Sequence, residues 1–166
     1  METQWHVVHV LSRTEKKVAE RLENKGITIY LPLQKQLRQW SDRKKWVEMV
    51  VLSGYVFVKI SKNEYLQILQ TTGVSRFLKH DNKPVCISDL EMERFRNFIE
   101  KADERLIEFT TEQMPIGTVV TIQNGPFKGY SGEITKHKGN CKLTIQLSHI
   151  GHFSVDLSPD EVSAKS

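Results

Sequence analysis

Residues 119–136 read VVTIQNGPFKGYSGEITK, and this stretch decides the fold class of the C-terminal third of the chain. Its first four side chains are β-branched, which favours a strand over a helix. The pair Gly125-Pro126 is a strong turn signal, and Gly132 opens a second run of strand-forming residues. The stretch therefore predicts a strand, a tight turn that presents Phe127, and a second strand.

The same pattern of short strands and glycine turns continues on both sides of this stretch. Strands are predicted over residues 118–123, 132–136, 142–147 and 153–157, with a further turn at Gly139-Asn140. Several short strands within about fifty residues are typical of a small barrel. We predict a C-terminal β-barrel over residues 116–163. A helix across this region is disfavoured by Pro126, because proline in a helix interior costs about 3 kcal/mol.

The first hundred residues mix helix and strand signals. Three capping boxes, each a serine followed three residues later by glutamate, predict helix starts at Ser12, Ser61 and Ser88. Valine-rich and other apolar runs predict strands over residues 5–11, 27–33, 46–52, 54–60 and 74–79. The order β-α-β-β-β-α-β-α predicts an α+β sandwich over residues 1–102, with helices packed on a small antiparallel sheet.

Residues 103–115 differ in composition from both neighbours. The segment is acidic and ends at Pro115, so we interpret it as a linker between two domains. Two alternatives stay open, namely a continuation of the third helix and the pairing of residues 106–109 as a short extended segment.

Composition restricts the class of protein. The 166 residues are 39% hydrophobic and 27% charged, as expected for one folded domain or two small ones. The formal net charge is +4, and the first hundred residues carry 17 basic and 12 acidic side chains. A surface that faces a polyanion is therefore expected mainly in the N-terminal part.

The densest group of cations lies in residues 35–45, with Trp40 and Trp46 interleaved. Cations that follow phosphates and rings that stack on bases suit single-stranded DNA. The alternative is a solvated hairpin tip whose tryptophans fold onto the sheet. Cations at four-residue spacing on the first helix extend the candidate surface. The predicted DNA-binding residues are Arg13, Lys17, Lys35, Arg38, Arg43, Lys44 and Lys45.

Several classes of protein are not indicated by the sequence. No apolar run is long enough to span a bilayer, the N-terminus has no signal-peptide pattern, and two cysteines make no disulfide framework, so we expect a cytoplasmic protein. No nucleophile elbow, Walker loop or HExxH motif is present, so we expect neither enzymatic activity nor a cofactor. His6 and His9 lie three apart in a strand and face opposite ways, so we expect no metal site there.

The pattern of residues resembles a known family. Residues 119–136 resemble the KOW motif, with its Gly-Pro-Phe turn and its glycine at the start of the next strand. The first hundred residues resemble the NusG N-terminal (NGN) domain, in the aromatic opening at Trp5, in YLPL at 30–33 and in LSGYVFV at 52–58. Ser53 stands where that family usually has proline, and the compact basic segment is similar to that of specialised paralogues such as RfaH and the UpxY-type antiterminators.

This resemblance to NusG-type transcription elongation factors implies a function. It implies a monomeric, non-enzymatic factor that binds RNA polymerase across its clamp and suppresses pausing or termination, as an operon-specific antiterminator. Non-template or upstream DNA is the second implied partner, and no membrane is involved. A general housekeeping NusG remains an alternative, and so does a ribosome-associated or RNA-binding KOW protein.

The resemblance also implies contact residues. Trp5, Leu52 and Tyr55 are implied to contact the clamp helices of the polymerase β′ subunit. If the start of the second helix contacts the β-subunit gate loop, the residues involved are Glu64, Tyr65 and Gln67, although packing of Tyr65 on its own domain is the favoured interpretation. Phe127 and Ile150 are implied to bind a small-subunit ribosomal protein, whereas the missing ring at Ile150 argues against Rho. We also expect the polymerase-binding patch to be exposed in the free protein.

Overall fold

The computed structural model describes residues 2–112, 117–137 and 140–162. The chain divides into two compact units, one made of Met1–Leu33 and Glu48–Arg94 and the other of Gln34–Val47 and Phe95–Ser166. The predicted boundary at Pro115 and the predicted turn at Gly139 lie outside the described residues. The division into domains at 1–102, 103–115 and 116–163 stays a prediction.

The described elements alternate between short strands and four helices. In chain order they are β1 (Gln4–Val10), α1 (Glu15–Asn24), β2 (Thr28–Tyr30), β3 (Leu33–Trp40), β4 (Arg43–Val50), β5 (Tyr55–Ile60), α2 (Tyr65–Leu69), β6 (Val74–Phe77), β7 (Lys79–His80), β8 (Lys83–Pro84), β9 (Cys86–Ile87), α3 (Asp89–Ala102), β10 (Glu108–Thr110), β11 (Thr118–Thr121), β12 (Ser131–His137), β13 (Asn140–Leu147), β14 (Gly151–Leu157) and α4 (Pro159–Val162). The predicted α+β class is confirmed.

The first unit is built on an antiparallel sheet. Its strands lie in the order β2-β5-β1-β6, and β9 also pairs with β1. Alternate residues of β1 and β5, among them Val8, Val10 and Val58, point to one face and form a buried cluster with Val18 and Leu22 of α1. Burial of this apolar face supplies the stability that short, isolated strands lack.

Two of the three predicted capping boxes mark real helix starts. The Glu64 carboxylate accepts a hydrogen bond from the Ser61 backbone N–H at 3.0 Å, at the beginning of a 3-10 turn that leads into α2. The Ser88 hydroxyl accepts from the Glu91 N–H at 3.1 Å, at the start of α3. These contacts satisfy backbone groups that a helix terminus leaves unpaired.

The third predicted capping box, at Ser12, is wrong. Helix α1 begins at Glu15, and Thr14 occupies the N-cap position. Arg13 has a φ of 66°, so the chain turns between Ser12 and the helix, and the Thr14 hydroxyl donates backwards to the Leu11 carbonyl at 2.5 Å. The capping-box pattern could not show that Arg13 adopts a left-handed conformation just before the N-cap residue.

The second unit contains a five-stranded antiparallel sheet in the order β10-β14-β13-β12-β11. The predicted strands of the C-terminal region are confirmed, and the region is β rather than helical. The second half of α3 belongs to this unit, where Phe95 packs on Phe153 with ring centroids 4.7 Å apart and Phe98 packs on Phe127 at 5.6 Å. We call the five strands with α4 the C-terminal β domain.

The segment after α3 is held by side chains of the same unit. The helix ends at Ala102, and Asp103 has a φ of 52°, so the chain leaves the helical path there. The buried Gln34 amide donates to the carbonyl oxygens of Asp103, at 2.8 Å, and of Arg105. The Arg105 guanidinium contacts the Glu161 carboxylate at 2.5 Å, and β10 pairs with β14. A short extended segment therefore pairs in this region, over Glu108–Thr110 and not over 106–109.

Candidate binding surfaces

Tyr55 lies at the start of β5 and is partly exposed. Its neighbour Gly54 has a φ of 85°, and the Gly54 carbonyl accepts from the Val10 N–H at 2.9 Å, so the chain bends sharply before it joins the sheet. His9 of β1 lies directly opposite Tyr55, with ring centroids 4.5 Å apart. The phenol is therefore held at the surface by a cross-strand aromatic contact.

The other two residues implied for polymerase contact are buried. Trp5 is 5% exposed and Leu52 is 2% exposed. Leu52 lies in the turn that precedes Gly54, outside β5, so the alternation of a regular strand does not relate it to Tyr55. The expectation of an exposed patch is therefore wrong for Trp5 and Leu52 in this conformation, and Tyr55 alone of the three reaches the surface.

Arg76 is an exposed residue of the same sheet that sequence reasoning did not single out. It pairs with His9 across β1 and β6, while His9 pairs with Tyr55 across β1 and β5. Paired residues of neighbouring strands project to the same side, so the three side chains form one row. Burial lowers the pKa of His9, and the positive charge of Arg76 lowers it further.

The basic segment folds as a two-stranded ribbon, β3 and β4, joined by Ser41 and Asp42. We call residues Gln34–Val47 the basic ribbon. Trp40 is 58% exposed and Trp46 is 49% exposed, so the alternative in which both rings fold onto the sheet is wrong. All five predicted cations of the ribbon are exposed: Lys35, Arg38, Arg43, Lys44 and Lys45.

Four cations of the ribbon are not compensated by ion pairs. Within residues 2–112, 117–137 and 140–162, none of the ion pairs involves Lys35, Arg43, Lys44 or Lys45. Arg38 donates to the Gln36 side chain at 3.4 Å. Exposed cations beside exposed indole rings are the combination that binds phosphates and bases together.

The cations of α1 have different environments. Lys16 contacts Glu48, at 3.1 Å from its carbonyl oxygen and 3.5 Å from its carboxylate, and Arg21 donates to the Thr72 carbonyl at 2.8 Å. Arg13 and Lys17, the two predicted DNA-binding residues of this region, are exposed. Arg13 precedes α1 and has a left-handed φ, so the prediction that both cations lie on one helix at four-residue spacing is wrong.

The side chains at the start of α2 serve the first unit itself. The Tyr65 hydroxyl lies 2.6 Å from Nε2 of the buried His6, and its ring lies 4.9 Å from that of Phe77. Burial lowers the pKa of His6 and raises that of Tyr65. Glu64 caps Ser61, as described above, and Gln67 is exposed. Packing of Tyr65 on its own domain is confirmed.

The two residues implied for partner binding by the C-terminal β domain are buried. Phe127 is fully buried beside Phe98 and Tyr130, and Ile150 is 8% exposed. Neither side chain is presented to a partner in this conformation.

Among the described residues, the cysteines and histidines do not assemble into a metal centre. Cys86 is exposed and Cys141 is buried, and both are free thiols. In the part of the chain that the structure describes, no three His, Cys, Asp or Glu residues lie close enough together to hold a metal ion. Within the same residues, no helix combines the length and apolarity that a membrane span requires.

The fold and these surfaces define a class of protein. The chain has a small antiparallel sheet, an exposed ribbon rich in cations and indole rings, and a five-stranded β domain. Such exposed cations and aromatic rings are typical of proteins that bind other macromolecules. The family model described as "NusG: Transcription termination factor nusG" matches residues 3–96, and the chain belongs to the NusG family.

Curated relatives agree with this membership. The "Transcription termination/antitermination protein NusG" of Chlamydia pneumoniae is 28% identical over 157 residues, which cover 86% of this chain and 85% of the relative. The protein of the same name from Halalkalibacterium halodurans is 25% identical over 164 residues, covering 89% and 90%. The chain is therefore a transcription factor and not an enzyme.

A solved structure shows the same fold. Thermotoga maritima NusG superposes with a TM-score of 0.55, at 23% identity, over 98% of this chain and 97% of that protein. The resemblance inferred from the sequence is confirmed.

Proposed function

We propose that this transcription factor binds RNA polymerase across its clamp and suppresses pausing or termination, acting on particular operons. In this proposal the sheet face around Tyr55 contacts the β′ clamp helices, and the basic ribbon contacts non-template or upstream DNA. A factor of this kind works by differential binding, because it stabilises the elongating polymerase relative to the paused one.

The single observation that carries the proposal is the exposed basic ribbon. Five cations and two indole rings stand on a two-stranded sheet within a chain of the NusG family. A two-stranded sheet is only marginally stable by itself in water. Exposed rings on such a sheet are typical of a surface that binds a partner. Single-stranded nucleic acid offers phosphates that pair with the cations and bases that stack on the indole rings.

Tyr55 supports the polymerase contact. It is the one implied clamp residue that reaches the surface, and its ring is pre-positioned by His9. Aromatic side chains held in one orientation lose little entropy on docking, which is why they are frequent at the centres of interfaces.

The DNA contact is tested by charge reversal. The triple variant Arg43→Glu, Lys44→Glu, Lys45→Glu should bind single-stranded DNA with a weaker salt dependence, because each lost phosphate contact lowers the slope of log K against log salt by roughly 0.7. The control reverses three exposed cations outside the ribbon: Lys62, Lys79 and Lys83. If the two triple variants show the same slope, the ribbon is not the DNA-binding surface.

The polymerase contact is tested by truncation. Tyr55→Ala should weaken binding to core polymerase by about 2 kcal/mol, because an aromatic anchor is lost. Val119→Ala, which shortens an exposed side chain of β11, is the control and should leave the affinity unchanged. Unchanged affinity in Tyr55→Ala would refute the clamp contact.

Transcription assays test the effect on elongation. Purified factor should shorten pauses and increase read-through of terminators on its own template and not on unrelated ones. Equal effects on every template would instead assign the chain a general role, and no effect on any would refute the proposal.

A further inference from the structure

One row of side chains crosses three neighbouring strands of the first unit. Arg76 of β6, His9 of β1 and Tyr55 of β5 are paired in register, so they lie side by side on one face of the sheet. His9 and Tyr55 are partly exposed, and Arg76 is exposed. The row therefore has an exposed cation at one end of a half-buried aromatic pair.

Backbone irregularities flank both ends of this row. The pairing of β1 with β6 shifts between His9 and Val10, so Ser75 is an extra residue beside Arg76, as in a β-bulge. At the other end, Gly54 has a φ of 85° immediately before Tyr55. Bulges re-aim side chains and are frequent next to functional sites, so both terminal side chains of the row are set by the backbone.

Two cations, Lys59 and Arg76, lie on this face of the sheet, and they differ in whether they form an ion pair. Lys59 of β5 faces Trp5 across the strands, and its ammonium group contacts the Asp89 carboxylate at 3.2 Å. Arg76 takes part in none of the ion pairs found in the part of the chain that the structure describes. Arg76 thus supplies an available guanidinium beside His9, at one end of the His9–Tyr55 pair of rings.

We propose that the Arg76–His9–Tyr55 row is the specificity element of the polymerase contact, in which Arg76 pairs with a carboxylate on the polymerase. This inference rests on the proposed function, because it assigns a chemistry to the surface around Tyr55. The planar guanidinium can bind a carboxylate through two parallel hydrogen bonds, which fixes orientation as well as affinity. The adjacent rings exclude water from that pair on docking, and this strengthens it.

A carboxylate is favoured over a phosphate as the partner of Arg76. The row presents one guanidinium beside two half-buried rings, whereas the basic ribbon presents five exposed cations. Phosphate backbones bind several cations at once, while protein interfaces combine a single arginine with aromatic neighbours.

Charge reversal in a defined background tests this inference. Arg76→Glu should weaken binding to core polymerase, measured without any nucleic acid, by at least about tenfold, since a like charge then faces the carboxylate. Arg76→Lys should retain the charge and lose the two-bond geometry, with an intermediate loss. Lys62→Glu makes the same charge change on an exposed residue of the 3-10 turn and should change the affinity less than twofold.

The outcomes separate this inference from the proposed function. If Tyr55→Ala weakens binding and Arg76→Glu does not, the face contacts polymerase and the inference about Arg76 is refuted. If neither variant weakens binding, the polymerase contact itself is refuted. An effect of Arg76→Glu that occurs only when DNA is present would assign Arg76 to a phosphate and would overturn the carboxylate.

Discussion

Substitution of Gly73 by alanine should destabilise the first unit strongly. Gly73 precedes β6, has a φ of 99°, and accepts a hydrogen bond from the Leu11 N–H at 3.0 Å. A Cβ built on Gly73 would lie 2.5 Å from Cγ2 of Val18, which is fully buried in the core. Alanine therefore meets both an unfavourable backbone conformation and a side chain with no room to move.

The expected loss combines these two effects. The left-handed conformation disfavours an L-residue by about 1 to 2 kcal/mol. Overpacking a well-filled core typically adds about 1 to 3 kcal/mol. Together they predict a loss of about 2 to 5 kcal/mol in the free energy of unfolding of the first unit.

Gly26 provides a matched control. It has a φ of 81°, and a Cβ built on it would meet nothing within 4 Å. Gly26→Ala should therefore show the backbone effect alone, about 1 to 2 kcal/mol. The difference between the two variants isolates the contact with Val18.

Trp5 reports the unfolding of this unit, because it is buried in it. Urea titrations followed by tryptophan fluorescence should be made in a background where Trp40 and Trp46 are phenylalanine. The midpoint should fall further for Gly73→Ala than for Gly26→Ala, at unchanged m-value. Equal midpoints would show that Val18 yields without strain and would refute the packing argument.

Three further perturbations have signs that the structure fixes. Burial lowers the pKa of His6 in the folded state, so the unfolded chain binds a proton first as the pH falls below about 6.5. The urea midpoint of the first unit should therefore decrease as the pH falls through this range. In His6→Gln the midpoint should depend less on pH. Glu161→Gln should destabilise the second unit by about 1.5 to 3 kcal/mol at pH 7, and since Arg105 lowers the pKa of Glu161, the difference from the parent should vanish in acid, below the folded pKa. Phe98→Ala should cost the second unit about 3 to 5 kcal/mol and increase hydrogen exchange around Phe127, whereas unchanged exchange would show that their contact contributes nothing.

Local signals predicted much of the fold. The strands around Gly125-Pro126 and the helix starts at Ser61 and Ser88 follow from turn and capping chemistry within a few residues, and the structure confirms them. Strand β3 was missed because both of its faces carry polar side chains, so it shows no alternation. An exposed ribbon needs no apolar face, and periodicity therefore cannot identify it.

The candidate site depended more on tertiary structure. The cations of the basic ribbon could be identified from residue type alone, because charged residues are usually exposed whatever the fold. The row of Arg76, His9 and Tyr55 could not be found in the same way, because its members come from three strands whose register is set by a bulge and a glycine turn. The burial of Leu52 likewise follows from the chain path at Gly54 and not from its neighbours in sequence.

The second unit is built from two segments that are far apart in the sequence, and this affects how it folds during synthesis on the ribosome. The basic ribbon is translated before most of the first unit, yet Gln34 is anchored by Asp103 and Arg105, which are made much later. At about 5 to 20 residues per second, the interval between Val47 and Asp103 lasts on the order of 3 to 11 s. During that interval the ribbon lacks the anchor at Gln34. Its edges and indole rings are exposed then, as they are in the folded chain, and repulsion between its cations opposes pairing with other chains.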